Sequence, residues 1–150
     1  MEQQQASDDA VMTRIGQAVM LLHGGDREEA RNRFGAIWAE IGEGGDALHR
    51  TTLAHYMADT QDDPGDELAW DLRALTAAGG DASAVRAFYP SLHLNLAADY
   101  VKLQRPEAAR VHLDQARSAA DALGEGPSGD GYDEGVRTAI DRLERRLDRP

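Results

Sequence analysis

The chain has 150 residues, 41% of them hydrophobic and 29% charged, a balance that fits one compact domain with a core of its own. Sixteen basic residues stand against 27 acidic ones, and a formal net charge of −11 argues against nucleic-acid binding, because phosphate backbones would be repelled. The absence of cysteine excludes disulfides, cysteine–zinc sites, iron–sulfur clusters and thiol nucleophiles.

The opening stretch MEQQQASDDA has neither the basic nor the apolar region of a secretory signal. No later run approaches the ~20 apolar residues that span a bilayer, so a cytoplasmic protein without membrane attachment is expected. Alanine occurs 25 times against 16 for valine, isoleucine and threonine together, which favours helix over strand. Spacings of three and four recur along the chain, and sustained period-2 alternation does not.

A first helix is expected over residues 8–23, with Asp8 as its cap and Val11, Ile15, Ala18 and Leu22 in one stripe before Gly24-Gly25. Asp26 and Glu29 form a capping-box-like start for a second, whose stripe is Ala30, Phe34, Ile37 and Ile41. Glycines 42, 44 and 45 end it. A third helix is expected over 46–59, with Leu48, Thr52, His55 and Tyr56 in register. Pro64 then suits a first helical position, and Leu68, Leu72 and Leu75 are expected to carry a fourth helix inward. Asp81 can cap a short helix running toward Tyr89. Pro90 breaks it before a fifth helix, which carries Leu92, Leu96, Tyr100 and Leu103, with Phe88 on the same stripe. Pro106 opens a sixth, with Ala109, Leu113, Ala116 and Ala120 buried. After a glycine-rich loop, Val136, Ile140, Leu143 and Leu147 mark a last amphipathic helix with its arginines outside.

One pattern is written three times: a small residue, a larger one three later, a turn, then a helix opening on a small or apolar residue. Ala18 and Leu21 precede Gly25-Asp26, then Ala30, Phe34 and Ile37. Ala97 and Tyr100 precede Gln104-Arg105, then Ala109, Leu113 and Ala116. The middle copy runs Ala54 and Met57, then Leu68, Leu72 and Leu75, with a turn two residues longer.

This pattern resembles the tetratricopeptide repeat, in degenerate form, and the third copy is the closest match. The resemblance implies an all-α fold, a right-handed α-solenoid of about three helical hairpins plus a C-terminal capping helix. Residues 1–7 would be a flexible N-terminus, 8–123 the three repeats, 124–131 a loop and 132–150 the capping helix. It further implies a protein-interaction module that receives a partner peptide or helix in a concave groove lined by the first helix of each repeat. Carried onto this chain, the groove residues are Met12, Ile15 and Val19, then Thr51, His55 and Asp59, then Asn95, Ala98 and Lys102. The chain's charge points to a basic or apolar partner. Single cations such as Lys102 and Arg50 do not make a carboxylate clamp.

Two rival readings come from the same residues. The first helix carries apolar residues on two sides (Val11, Met12, Ile15, Val19, Leu22), which could seal a homodimer. His55 and Asp59, with Asp62, Asp63, Asp66 and Glu67 nearby, could hold a divalent cation, although the acidic run already has a use at a helix N-terminus. No cofactor is implied. No catalytic constellation is legible: the glycine-rich turns lack a P-loop lysine, Ser128 and Tyr132 have no neighbouring histidine, and His49, His93 and His112 read as packing residues.

Overall fold

Glycine, proline and aspartate fall between stretches rich in alanine, leucine, arginine and glutamate, and the backbone follows that punctuation. The computed structural model describes residues 2–79, 87–123 and 131–149, with side chains over 10–79, 87–123 and 135–149. Its helices are α1 (Glu2–His23), α2 (Arg27–Ile41), α3 (Ala47–Asp59), α4 (Pro64–Ala77), α5 (Tyr89–Lys102), α6 (Pro106–Leu123) and α7 (Gly131–Asp148). There is no strand among the described residues, and no helix there is long and apolar enough to cross a membrane. The expected short helix after Asp81, the loop with Ser128 and the Tyr132 side chain lie outside the described residues. Helix α1 starts at Glu2 rather than near Asp8: glutamate and glutamine are good helix formers and nothing before Asp8 breaks the helix.

Helices pack chiefly on their chain neighbours, in hairpin-like pairs α1/α2, α3/α4 and α5/α6. Where composition predicts a single domain, these local contacts gather into two units, residues 1–77 and 78–150, because a helical hairpin buries most of its apolar surface against itself.

In the first unit, Ile15 and Ala18 of α1, Ala30, Phe34 and Ile37 of α2, and Leu53 and Met57 of α3 form one buried cluster. Phe34 stacks on Tyr56 with ring centroids 5.8 Å apart. Two aspartates start helices as their sequence positions predict. Asp26 accepts from the Glu29 amide at 3.4 Å, and Asp46 accepts from the Leu48 amide at 2.9 Å. Val11, Val19 and Leu22 also pack on this core, so the apolar excess of α1 is largely absorbed within the unit, leaving Met12 and Met20 exposed.

Helix α4 departs from its expected register. Leu72 is 39% exposed and Leu68 and Leu75 are half-buried, whereas the buried positions are Asp71 and Ala74. Alanine permits a close helix approach that leucine would block, so the inward stripe falls on different residues.

The second unit is built on Ala97, Leu113, Ala116 and Ile140, with Leu94, Val136, Leu143 and Leu147 packed around them. The expected stripe of the last helix is therefore its packed stripe. Leu92 and Leu96 are buried, but Phe88, at the N-cap of α5, is exposed and does not continue their row. The adjacent Tyr89 instead turns its hydroxyl to the Ala78 carbonyl, donating at 2.5 Å.

Candidate functional site

Helix α7 sorts its charges. Its acids from Asp141 onward turn toward α6: Arg117 reaches Asp141 at 3.1 Å and also Glu144, and Arg110 reaches Asp148 at 3.0 Å. Arg137 of α7 in turn pairs with Asp121 of α6 at 2.9 Å. The carboxylates around Arg117 raise its pKa, chiefly through the hydrogen bond to Asp141, which keeps that guanidinium charged. With the acids committed on one edge, Arg142, Arg146 and Arg149 make no ion pair among the described residues and are exposed. An acidic chain thus presents one local cationic face.

Two of those arginines border a groove between α5 and α7. Leu94, Asn95 and Ala98 come from α5, and Ala139, Arg142, Leu143 and Arg146 from α7, around a space of about 380 Å³. The spacing explains the lining. Residues 94 and 98 are one turn apart on α5, as are 139 and 143 on α7, so two short apolar rows face a common trough. Ala98 and Ala139 keep the trough open where larger side chains would fill it. Such a groove can bury apolar side chains on its floor, take carboxylates at a guanidinium fork and meet a main-chain amide with Asn95.

The nine groove residues implied by the repeat resemblance fall in different environments. Asn95 and Ala98 line this groove, and Lys102 is exposed one turn beyond Ala98 on α5. Met12 is exposed on α1, and Asp59 is exposed at the end of α3. Ile15 lies in the core and Thr51 is buried, so neither side chain reaches a partner, and Val19 packs against the core as well. His55 is half-buried with its ring 5.0 Å from that of Tyr56. Asp62, from the acidic run beside it, is taken by Arg27. No three of His55, Asp59, Asp62, Asp63, Asp66 and Glu67 converge as ligands among the described residues.

His93 and His112, which read as separate packing residues in the sequence, meet in the structure. Their Nδ1 atoms lie 3.1 Å apart across the α5/α6 hairpin, and Tyr100 stacks on His112 with ring centroids 5.5 Å apart. Burial lowers the pKa of His93, with the neighbouring His112 adding to the effect, and burial lowers that of His112. The pair is thus held neutral, one ring donating and the other accepting. Only the register of α5 against α6 brings them together, so a spacing of 19 residues gave no signal.

Comparison with protein-family models, with curated proteins and with solved structures finds no match for this chain.

Proposed function

We propose that the chain is a degenerate tetratricopeptide-like interaction module, non-enzymatic, whose groove between α5 and α7 receives a short acidic and partly apolar segment of a partner protein. The observation that carries this reading is the pairing of Asn95 and Ala98 with Arg142 and Arg146 around one apolar trough. Overall charge favours a basic or apolar partner. In this reading the groove's apolar trough takes an apolar partner and its arginines favour acids beside it, because affinity is set by the groups a ligand meets and a net charge acts mainly on encounter.

Support for the repeat comes from equivalent positions in the two better copies. Ala18 and Ala30 in one hairpin, and Ala97 and Ala109 in the other, are all fully buried where the pattern places its small contact residues. In this reading the hairpins stack as a right-handed solenoid and α7 covers the last of them.

In the proposed complex, apolar side chains of the segment lie against Leu94, Ala98, Ala139 and Leu143. Its carboxylates meet Arg142 and Arg146, and Asn95 bonds its main chain. The test is fluorescence polarisation with labelled eight-residue peptides that pair leucine or phenylalanine with zero to four acidic residues. Affinity should rise with acid count and fall at least about tenfold in the Arg142→Glu/Arg146→Glu double variant, since each charge-assisted bond contributes about 1.5–3 kcal/mol. Equal binding of neutral and acidic peptides, or an unaffected double variant, would overturn the reading.

A further inference from the structure

The first unit carries a second concave site with a different chemistry. The chain has two tryptophans, Trp38 on α2 and Trp70 on α4, and they meet edge to face with ring centroids 5.3 Å apart. Each has an arginine over its ring. The Arg50 guanidinium carbon lies 4.2 Å from the Trp38 centroid, and that of Arg73 lies 4.3 Å from the Trp70 centroid. Trp38, Arg50, Leu72, Arg73 and Ala77 line a cavity of about 840 Å³, closed on one side by the turn after α2.

That turn is built to approach closely. Gly42 has φ 63°, a left-handed conformation that glycine adopts freely, and its amide donates to the Trp38 carbonyl at 3.2 Å. A Cβ on Gly45 would lie 3.0 Å from Ile41 side-chain atoms, so any larger residue there has to push Ile41 aside. Arg50 donates to the Gly42 carbonyl, which fixes its guanidinium against the indole while most of its donors stay uncommitted. Arg73 makes no hydrogen bond or ion pair among the described residues, and Arg50 makes no ion pair there. Arg14, Arg27 and Arg33 of the same unit all hold carboxylates. In a chain with 27 acidic residues, these two guanidiniums are stacked on aromatic rings and meet no acid among the described residues.

We infer that this cavity binds a small organic anion, an oxyanion group on an apolar body. The oxyanion meets Arg50 and Arg73, and the body lies against Leu72, Ala77 and the uncovered part of the Trp38 ring. The volume falls within the roughly 300–1,000 Å³ of small-molecule sites. Stacking pre-orients each guanidinium, so less side-chain freedom is lost on binding. Glu43, exposed on the lining, is the acid that opposes an anion.

Trp38 lines the cavity and Trp70 stands against both Trp38 and Arg73, so intrinsic fluorescence reports on the site without a label. The full chain is titrated with octanoate, octan-1-ol and inorganic phosphate. Octanoate should change the emission saturably, with the other two at least about tenfold weaker, because each supplies only half of the recognition. Arg73→Gln should weaken octanoate at least about tenfold, and Glu43→Gln should strengthen it. Leu72→Glu places a repelling charge at an exposed position where folding is not at stake, and it should abolish the response. Circular dichroism checks each variant for native helicity. Octan-1-ol equal to octanoate would make the cavity a merely apolar one, phosphate equal to octanoate would remove the apolar body, and no saturable response would remove the site. Each of these three results overturns the inference.

Discussion

Gln104 takes the left-handed backbone conformation, φ 59°, that Gly25 takes at φ 94° in the equivalent turn of the first hairpin. Both turns close the same way. The amide after each residue reaches back to the carbonyl five positions earlier, Asp26 to Leu21 at 2.9 Å and Arg105 to Tyr100 at 2.8 Å. The middle hairpin lacks this closure. There α3 is capped by Thr60, with φ −92°, and the Thr60 hydroxyl and the Gln61 side-chain Nε2 both donate to the Met57 carbonyl.

A side chain in the left-handed region costs about 1–2 kcal/mol that glycine avoids. Gln104→Gly should therefore stabilise the protein by up to about 1 kcal/mol after the loss from a more flexible unfolded chain, raising Tm by roughly 3 °C. Gly25→Ala should move stability in the opposite direction. Differential scanning calorimetry on the two variants checks the pair, and an unchanged or lower Tm for Gln104→Gly would contradict it.

The register of α4 gives a second prediction, since the structure and the leucine spacing rank two substitutions in opposite order. Leu72 is exposed and Ala74 is fully buried. Leu72→Ser should cost no more than about 0.5 kcal/mol, and Ala74→Leu about 1–3 kcal/mol through overpacking. Phe34→Ala, which empties the centre of the same unit, should cost about 3–5 kcal/mol. Urea denaturation followed by tryptophan fluorescence measures all three, because Trp38 and Trp70 both belong to that unit.

What the sequence made legible follows from where the physics is local. The Asp26 and Asp46 caps, Pro64 and Pro106 at helix starts, and the stripes of α2, α6 and α7 depend on residues within a few positions of one another, and they stand as expected. The alanines 18 and 30, and 97 and 109, which share one spacing in the sequence, are all fully buried. Three features were not legible, since each needs the register between helices. Asp71 and Ala74 displace the α4 leucines, His93 finds His112, and the acids of α7 from Asp141 onward turn to α6 so that Arg142 and Arg146 border a groove. The repeat resemblance pointed to Asn95 and Ala98, which line that groove, whereas the arginines opposite them carry no motif.

The His93–His112 pair makes stability pH-dependent with a definite sign. Both pKa values lie below the ordinary 6.5, so the folded state holds the rings neutral while the unfolded chain takes up protons first. Stability is complete above about pH 6.5 and falls as pH drops below it toward the folded-state values. Protonating both rings also turns two Nδ1 groups 3.1 Å apart into opposed donors. Melting temperatures from pH 7.5 to 5.0 should decline, and His93→Gln, which keeps a donor and an acceptor but does not titrate, should flatten the decline. Parallel profiles for the two proteins would exclude the pair as its source.

Charge sorting on α7 predicts that stability and binding respond differently to one substitution. Arg117 is 41% exposed at its side chain, so its pairs with Asp141 and Glu144 contribute no more than about 1 kcal/mol to folding. Its larger effect is to hold two carboxylates on the α6 edge, away from Arg142 and Arg146. Arg117→Ala leaves those carboxylates without a cation on the same helix as the groove arginines, where they lower its positive potential. The variant should melt close to the wild-type temperature yet bind acidic peptides several-fold more weakly. Raising salt from about 50 to 500 mM should shrink that difference, because screening removes the extra field of the freed acids. A variant that loses stability but keeps its affinity would place the role of Arg117 in packing alone.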